Sequence, residues 1–353
     1  MFVFWMVAIL YSPPPAAAPA SPSPSIDVQL EAARARRQAG DLAEARRQVE
    51  AVLATLDAVA SKHFGWYGAQ GEALGLLADV AWEQGDRAAA RRALEASRSL
   101  RPALERQAPP GFSFLASFAL DEQKLGWLAW LEGDGAAARR HFEAAVALHD
   151  QALGSADGGN PGWQRAWALK IAGDGAWVLG DLGAARTHYR AALALLGGPT
   201  EPDEEQLKRG RVVVHLALGD LALASDDSGG VDSAAEHYQA ARTLDDQLSA
   251  QARFAWRMAR LEARKGQLEA ARRHLQVALA EVLSSVKADP STVDDLLAAE
   301  VYLAAAEVEA AQVEVARGYR EAAREHLARL GDRVNVLQMG ARERTRQALK
   351  RPL

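Results

Sequence analysis

The chain has no cysteine. That excludes disulfides, thiolate catalysis, cysteine-ligated zinc and a lipidated cysteine. A basic excess is missing too. With 41 Lys and Arg against 46 Asp and Glu, the net charge is −5, and nothing supplies the concentrated basic footprint that nucleic acid requires. The basic lean from Arg317 to Arg351 reads as a solvated helical face. Catalytic signatures are also absent. No serine sits in a G-x-S-x-G elbow, and no H-E-x-x-H pair occurs. The glycine-rich Gly154–Gly162 follows a helical pattern rather than a strand and lacks the Lys-Ser/Thr of a phosphate loop. Paired acids at Asp203-Glu204-Glu205 and Asp294-Asp295 fall at helix starts, where they oppose the macrodipole favourably. No enzyme, metal or cofactor is expected.

Long apolar runs are scarce as well. Phe2–Tyr11 is about ten residues, too short to span a bilayer but long enough for a signal-peptide core. Small residues follow at Ala16-Ala17-Ala18-Pro19-Ala20, although no Lys or Arg precedes the run. The expectation is export, to periplasm or exterior, after cleavage near Ala20, with a mature start near Ser21. The alternative is a cytoplasmic protein whose first residues are no signal. A Pro/Ser linker continues to Ser25.

What is present is helix-forming and repetitive. Ala, Leu, Arg, Glu and Gln dominate and β-branched residues are few. A glycine recurs seven times, at Gly40, Gly85, Gly133, Gly180, Gly229, Gly266 and Gly318. Five residues after each stands an alanine: Ala45, Ala90, Ala138, Ala185, Ala234, Ala271 and Ala323. Nine after it stands a larger apolar residue: Val49, Leu94, Phe142, Tyr189, Tyr238, Leu275 and Leu327. Seven before it the residue is tiny: Ala33, Ala78, Gly126, Gly173, Ala222, Ala259 and Ala311. Self-similarity at such a period denotes stacked αα-hairpins, none of which can bury its apolar face alone.

Within each unit the glycine predicts a left-handed C-cap. The Asp after it, at Asp41, Asp86, Asp134 and Asp181, predicts an N-cap for the second helix. Glu44 would complete a capping box with Asp41. Small residues mark the crossing of the two helices, and the large residue wedges towards the next pair.

On Leu125-Gly126, Gly133, Ala138, Phe142 and Ala145, and on the run from Gly173 through Gly180-Asp181 to Tyr189 and Leu195, the chain resembles the tetratricopeptide repeat family. The segment Gly159–Arg165 looks like a connector of long bacterial arrays of that family. The resemblance covers Ile26 to Leu330 and implies an all-α, right-handed solenoid of about seven helix pairs. The glycines stand 45, 48, 47, 49, 37 and 52 residues apart, beyond the family's usual repeat. The excess would form longer helices or connectors at Arg106–Ser113, Gly154–Gly162, Gly197–Glu204 and Ala288–Thr292. The organisation expected is a leader over 1–25, the repeat domain over 26–333, and a C-terminal capping helix and tail over 334–353.

Five histidines, His141, His188, His237, His274 and His326, recur eight residues after the glycine. Neighbouring copies lie about 20 Å apart, two helix diameters, whereas zinc holds its ligand atoms about 2 Å away. They read as a repeated helix-surface residue. Trp82, Trp130 and Trp177 stand three before the glycine; Asp79, Trp127 and Asp174 stand six before it. In the family these offsets face the concave groove, and Trp256 and Arg260 would be the groove residues of the sixth copy. Trp and Arg dominate binding energetics, so these eight residues are the candidate anchors for a protein or peptide partner; packing between first helices is the competing reading. Trp163 and Trp167 read as structural. The leading expectation is a non-catalytic scaffold binding a partner segment in the groove; a sensor of a small ligand or short peptide is the alternative.

Overall fold

The computed structural model describes residues 24–59, 61–108, 114–153, 161–197, 204–225, 229–245, 247–248, 251–288, 294–331 and 336–351. The apolar leader and most of the expected connectors lie outside the described residues. Those described form α1 (Pro24–Gln38), α2 (Leu42–Asp57), α3 (Phe64–Glu83), α4 (Arg87–Gln107), α5 (Leu115–Leu131), α6 (Gly135–Leu153), α7 (Pro161–Val178) and α8 (Leu182–Leu196). The chain continues through α9 (Glu204–Ala224), α10 (Gly230–Leu244), α11 (Ala252–Arg264), α12 (Leu268–Ala288), α13 (Asp295–Val308), α14 (Val313–Leu330) and α15 (Val336–Lys350). Consecutive odd and even helices pair, giving seven hairpins and one further helix. The fold is an all-α helical-repeat solenoid.

The hairpin turns follow from local chemistry. Gly40, Gly85, Gly133, Gly180 and Gly266 have φ between 77° and 86°, where an L side chain is strained. At Gly40 the amide of Asp41 bonds Arg36 O and that of Gly40 bonds Arg37 O, each at 3.0 Å, which closes α1. Asp41, Asp86, Asp134 and Asp181 each accept the amide three residues on, as expected. The capping box does not close: the Glu44 carboxylate turns to Arg47 and Gln48, because its partner amide on Asp41 is already bonded to Arg36 O.

The register of the second helices holds. All seven alanines, from Ala45 to Ala323, are fully buried, and the large residues from Val49 to Leu327 are buried beside them. Each such large side chain contributes about 1.5–3 kcal/mol by leaving water. Where the first helix carries glycine the approach is closest. A Cβ on Gly126 would sit 2.7 Å from the Phe142 ring, and one on Gly173 would sit 2.5 Å from Tyr189.

Two copies depart from the expected register. In the fifth, the residue against Tyr238 is Gly219, not Ala222; a Cβ there would be 2.3 Å from the ring. Three extra residues precede the second helix, and Gly229 takes an ordinary φ of −95°. In the seventh, Gly318 lies inside α14, and the turn is made by Glu309–Gln312. Ala311 is therefore exposed in that turn, while Ala304 and Ala316 are buried.

First helices pack on one another at α1–α3, α5–α7, α7–α9 and α11–α13, so they form the inner layer. Ion pairs join the inner layer across the two remaining steps: Lys124 of α5 to Asp79 of α3 at 2.5 Å, and Arg257 of α11 to Asp220 of α9 at 2.8 Å. The C-terminal helix covers part of the last pair, with Leu349 and Ala341 against Leu296, Ala299, Ala323 and Leu327, and it reaches further. It touches the last pair, α13 and α14, but extends to α5 and α7, within the inner layer. It lies along the inner face as well as against the last pair.

Candidate functional site

The site is the inner face of α7, α9, α11 and α13 with α15 laid along it. Its centre is Asp174, 1% exposed, which the position after Gly173 directs at the groove. One carboxylate oxygen accepts from Tyr189 Oη at 2.6 Å and from Arg344 of α15 at 2.8 Å. The other accepts from Lys170 Nζ at 2.7 Å. Burial alone would raise the Asp174 pKa, but Lys170 and Arg344 outweigh it and hold the carboxyl below its ordinary range. The Arg344 guanidinium also lies 4.5 Å from the Trp177 ring centre, a cation–π contact.

One copy along, the arrangement repeats. Asp220 follows Gly219, accepts from Tyr238 Oη at 2.8 Å, and takes Arg257 Nε on both oxygens at 2.8 and 2.9 Å. Arg257 lies 4.2 Å from the Trp256 ring centre, and Arg260 lies 5.8 Å from it while pairing with Glu307 at 2.5 Å. Between these groups opens a pocket of about 90 Å³, floored by Trp177, Asp220, Trp256, Arg260 and Glu300 and roofed by α15. Burial pushes the Glu300 carboxyl up to about 7; Arg257 opposes the shift and Asp220 adds to it.

The expected anchors divide among three places. Trp177, Trp256 and Arg260 line the pocket, and Asp174 binds α15. Trp127 is fully buried, edge-on to Phe142 at 5.0 Å and in one cluster with Met339 of α15; its indole Nε1 finds no hydrogen-bond partner among the described residues. Trp82 and Trp130 are half-buried in that cluster, and Asp79 bridges Arg37 and Lys124. Trp82 and Trp130 thus pack against the cluster that holds Trp127 and Met339, while Trp177 meets Arg344 of α15. Trp163 is buried against Trp167, 5.2 Å away.

Asp220, Arg257, Glu300 and Arg344 were not legible as site residues. Asp220 was hidden because the turn glycine put the fifth copy three residues out of register; the repeated Gly-Asp before Tyr189 and Tyr238 would have found it. Arg344 reaches a partner 170 residues away, and no local pattern announces such a pairing.

The recurring histidines are half-buried or buried rather than surface residues, and each has its own surroundings. His141 pairs with Glu122 at 2.6 Å and His326 with Asp295 at 2.7 Å, while His237 meets His215 at 3.2 Å. Among the described residues no group of three or more acids and histidines is placed to hold a metal. None of their helices is long and apolar enough to cross a membrane.

No family model matches the chain, and no curated protein matches it. Solved structures do. The apo form of RapI superposes with a TM-score of 0.51 at 12% identity, covering 87% of this chain and 78% of that one. The Rap conjugation gene regulator of plasmid pLS20, in complex with the Phr* peptide, gives 0.51 at 11% identity, covering 94% and 97%. Both are TPR-like helical-repeat proteins, and the likeness is one of fold.

Proposed function

We propose that the chain is a non-catalytic interaction scaffold that takes a protein or peptide segment along its inner face. The observation that carries this reading is the convergence of Trp177, Trp256 and Arg260 on one pocket between repeats. Indole and guanidinium groups in a concave site are the side chains that anchor peptides most strongly. Asp174 and Asp220 are engaged with cations and tyrosine hydroxyls, which supports a binding role for these two over acid–base work. One of the two similar folds was solved with a peptide bound. The second reading, a sensor of a small ligand or short peptide, draws on the same half-open pocket between copies. The apolar leader adds the proposal that the scaffold works outside the cytoplasm, in periplasm or exterior.

The test is partner recovery from the native host with the full chain, beside Trp177→Ala and Arg260→Ala. Loss of a partner with an unchanged melting temperature supports the groove. Undiminished recovery with both variants would place the partner elsewhere.

A further inference from the structure

The C-terminal helix is an unusual thing to find buried. Arg342-Glu343-Arg344-Thr345-Arg346-Gln347 are six polar residues in succession, and none of them is exposed. A helix that belongs to a core is apolar, because buried charge must find partners or lose stability. Surfaces of one chain that part from each other are the more polar kind. The helix is enclosed as core yet composed as an interface.

Its contacts to α7 run along one face, while Ala341 and Leu349 pack against α13 and α14 and Arg320 of α14 donates to Leu349 O at 2.7 Å. Gly340, Arg344 and Gln347 stand at i, i+4 and i+7, the spacing by which a helix is read in a groove. Gly340 lies against Asp174 so closely that a Cβ there would be 2.5 Å from Asp174 Cβ. Arg344 pairs with Asp174 and covers Trp177. Gln347 Nε2 donates at 3.0 Å to Val178 O, a last-turn carbonyl that α7 cannot satisfy itself. Met339, next to the glycine, enters the apolar slot of Trp127 and Ile171.

Two further features bear on whether the helix can leave. Without Arg344, Asp174 keeps Lys170 at 2.7 Å and Tyr189 at 2.6 Å, so departure orphans no buried charge there. The fit also leaves room: the pocket of about 90 Å³ opens beside Ala341, Thr345 and Ala348, with Glu300 in its lining.

We propose that the inner groove is a helix-binding site and that α15 is its resident ligand in cis, holding the place of a partner helix with the same pattern. That partner is a protein segment with a large apolar residue, then glycine, arginine four positions on and glutamine or an equivalent donor three beyond. This rests on the groove reading of the preceding section and adds the chemistry of the partner and its competitor.

The experiment uses the full chain and a fluorescein-labelled peptide of sequence Val336–Arg351. Gly340→Leu drives α15 against Asp174 and leaves every solenoid side chain in place. Arg344→Ala is the milder second variant, and circular dichroism with thermal melting checks that both fold. The expected result by fluorescence anisotropy is binding to Gly340→Leu at least tenfold tighter than to wild type. Arg344→Ala in the chain should be intermediate, and Arg→Ala within the peptide should weaken it at least tenfold. A folded Gly340→Leu that binds no better than wild type overturns the proposal, as does indifference to the peptide arginine. Should Gly340→Leu fail to fold, equal binding by wild type and Arg344→Ala overturns it. Host-partner recovery untouched by Trp177→Ala would sink the groove scaffold instead, and would leave a positive peptide result standing.

Discussion

Replacing Gly173 by alanine tests the hairpin crossing at its tightest point. The new Cβ would lie 2.5 Å from Tyr189 Cε1 and 2.7 Å from Cδ1, so the ring must retreat by roughly 1 Å to reach ordinary contact. It is not free to do so. Tyr189 is fully buried, and its hydroxyl is held on Asp174 at 2.6 Å. Alanine gains about 1 kcal/mol over glycine in a helix interior. Against that stand overpacking, ~1–3 kcal/mol, and the weakened bond to a charged acceptor, worth ~1.5–3 kcal/mol. The expected net is a loss of about 2 kcal/mol. Gly219→Ala should behave alike, with its Cβ 2.3 Å from Tyr238 and that hydroxyl held on Asp220 at 2.8 Å. Gly126→Ala should lose less, because the Phe142 ring has no hydroxyl to hold it. Gly75, inside α3 with nothing within 4 Å of its Cβ position, is the internal control: alanine there should stabilise by about 1 kcal/mol. Urea unfolding followed by far-ultraviolet circular dichroism reads all four. A Gly173→Ala midpoint at or above wild type would refute the crossing geometry.

Trp127→Ala should cost ~3–5 kcal/mol in the same assay, as a large buried side chain does; a loss under 1 kcal/mol would return Trp127 to the surface. His149 is buried and its pKa is lowered to about 4, chiefly by burial. Its neutral form is the one the fold favours, so its contribution is intact above the ordinary pKa of about 6.5 and is lost as pH falls through about 4. The full effect is about 3 kcal/mol, and His149→Phe should flatten the acid limb of a stability profile between those values; an unchanged limb contradicts the assignment. N-terminal sequencing of the protein from its own host should find a start near Ser21 outside the cytoplasm, and intact Met1 in the cytosol would end the export proposal.

Much of this architecture was legible in the sequence because αα-hairpin physics is local. Gly40, Gly85, Gly133, Gly180 and Gly266 each needed a left-handed φ, and the Asp that follows the first four needed an amide to cap. Those constraints operate within a few residues. Ala45 to Ala323 revealed the crossing because a Cβ-sized side chain is all the space admits. Gly229 and Gly318 misled for the same reason in reverse: glycine is read as a turn, yet one is the N-cap of α10 with an ordinary φ and the other sits mid-helix, and only contact with Tyr238 or burial of Ala316 fixes the true register. The site was half legible. Trp177, Trp256 and Arg260 follow from helical offsets. Asp174 does too, but its pairing with Arg344 depends on α15 returning across the stack. That return is set by the sum of small rotations between repeats, which no single segment encodes.

The most direct measurement of the central claim is native-state hydrogen exchange of the unmodified full chain, comparing amides of α15 with those of α5 and α7. If α15 is a ligand in cis, its amides open at a lower free energy than the solenoid and with a smaller denaturant dependence, as a separate unit. Exchange of α15 only in step with global unfolding of α5 and α7 would contradict the account, and would make the helix a fixed part of the core.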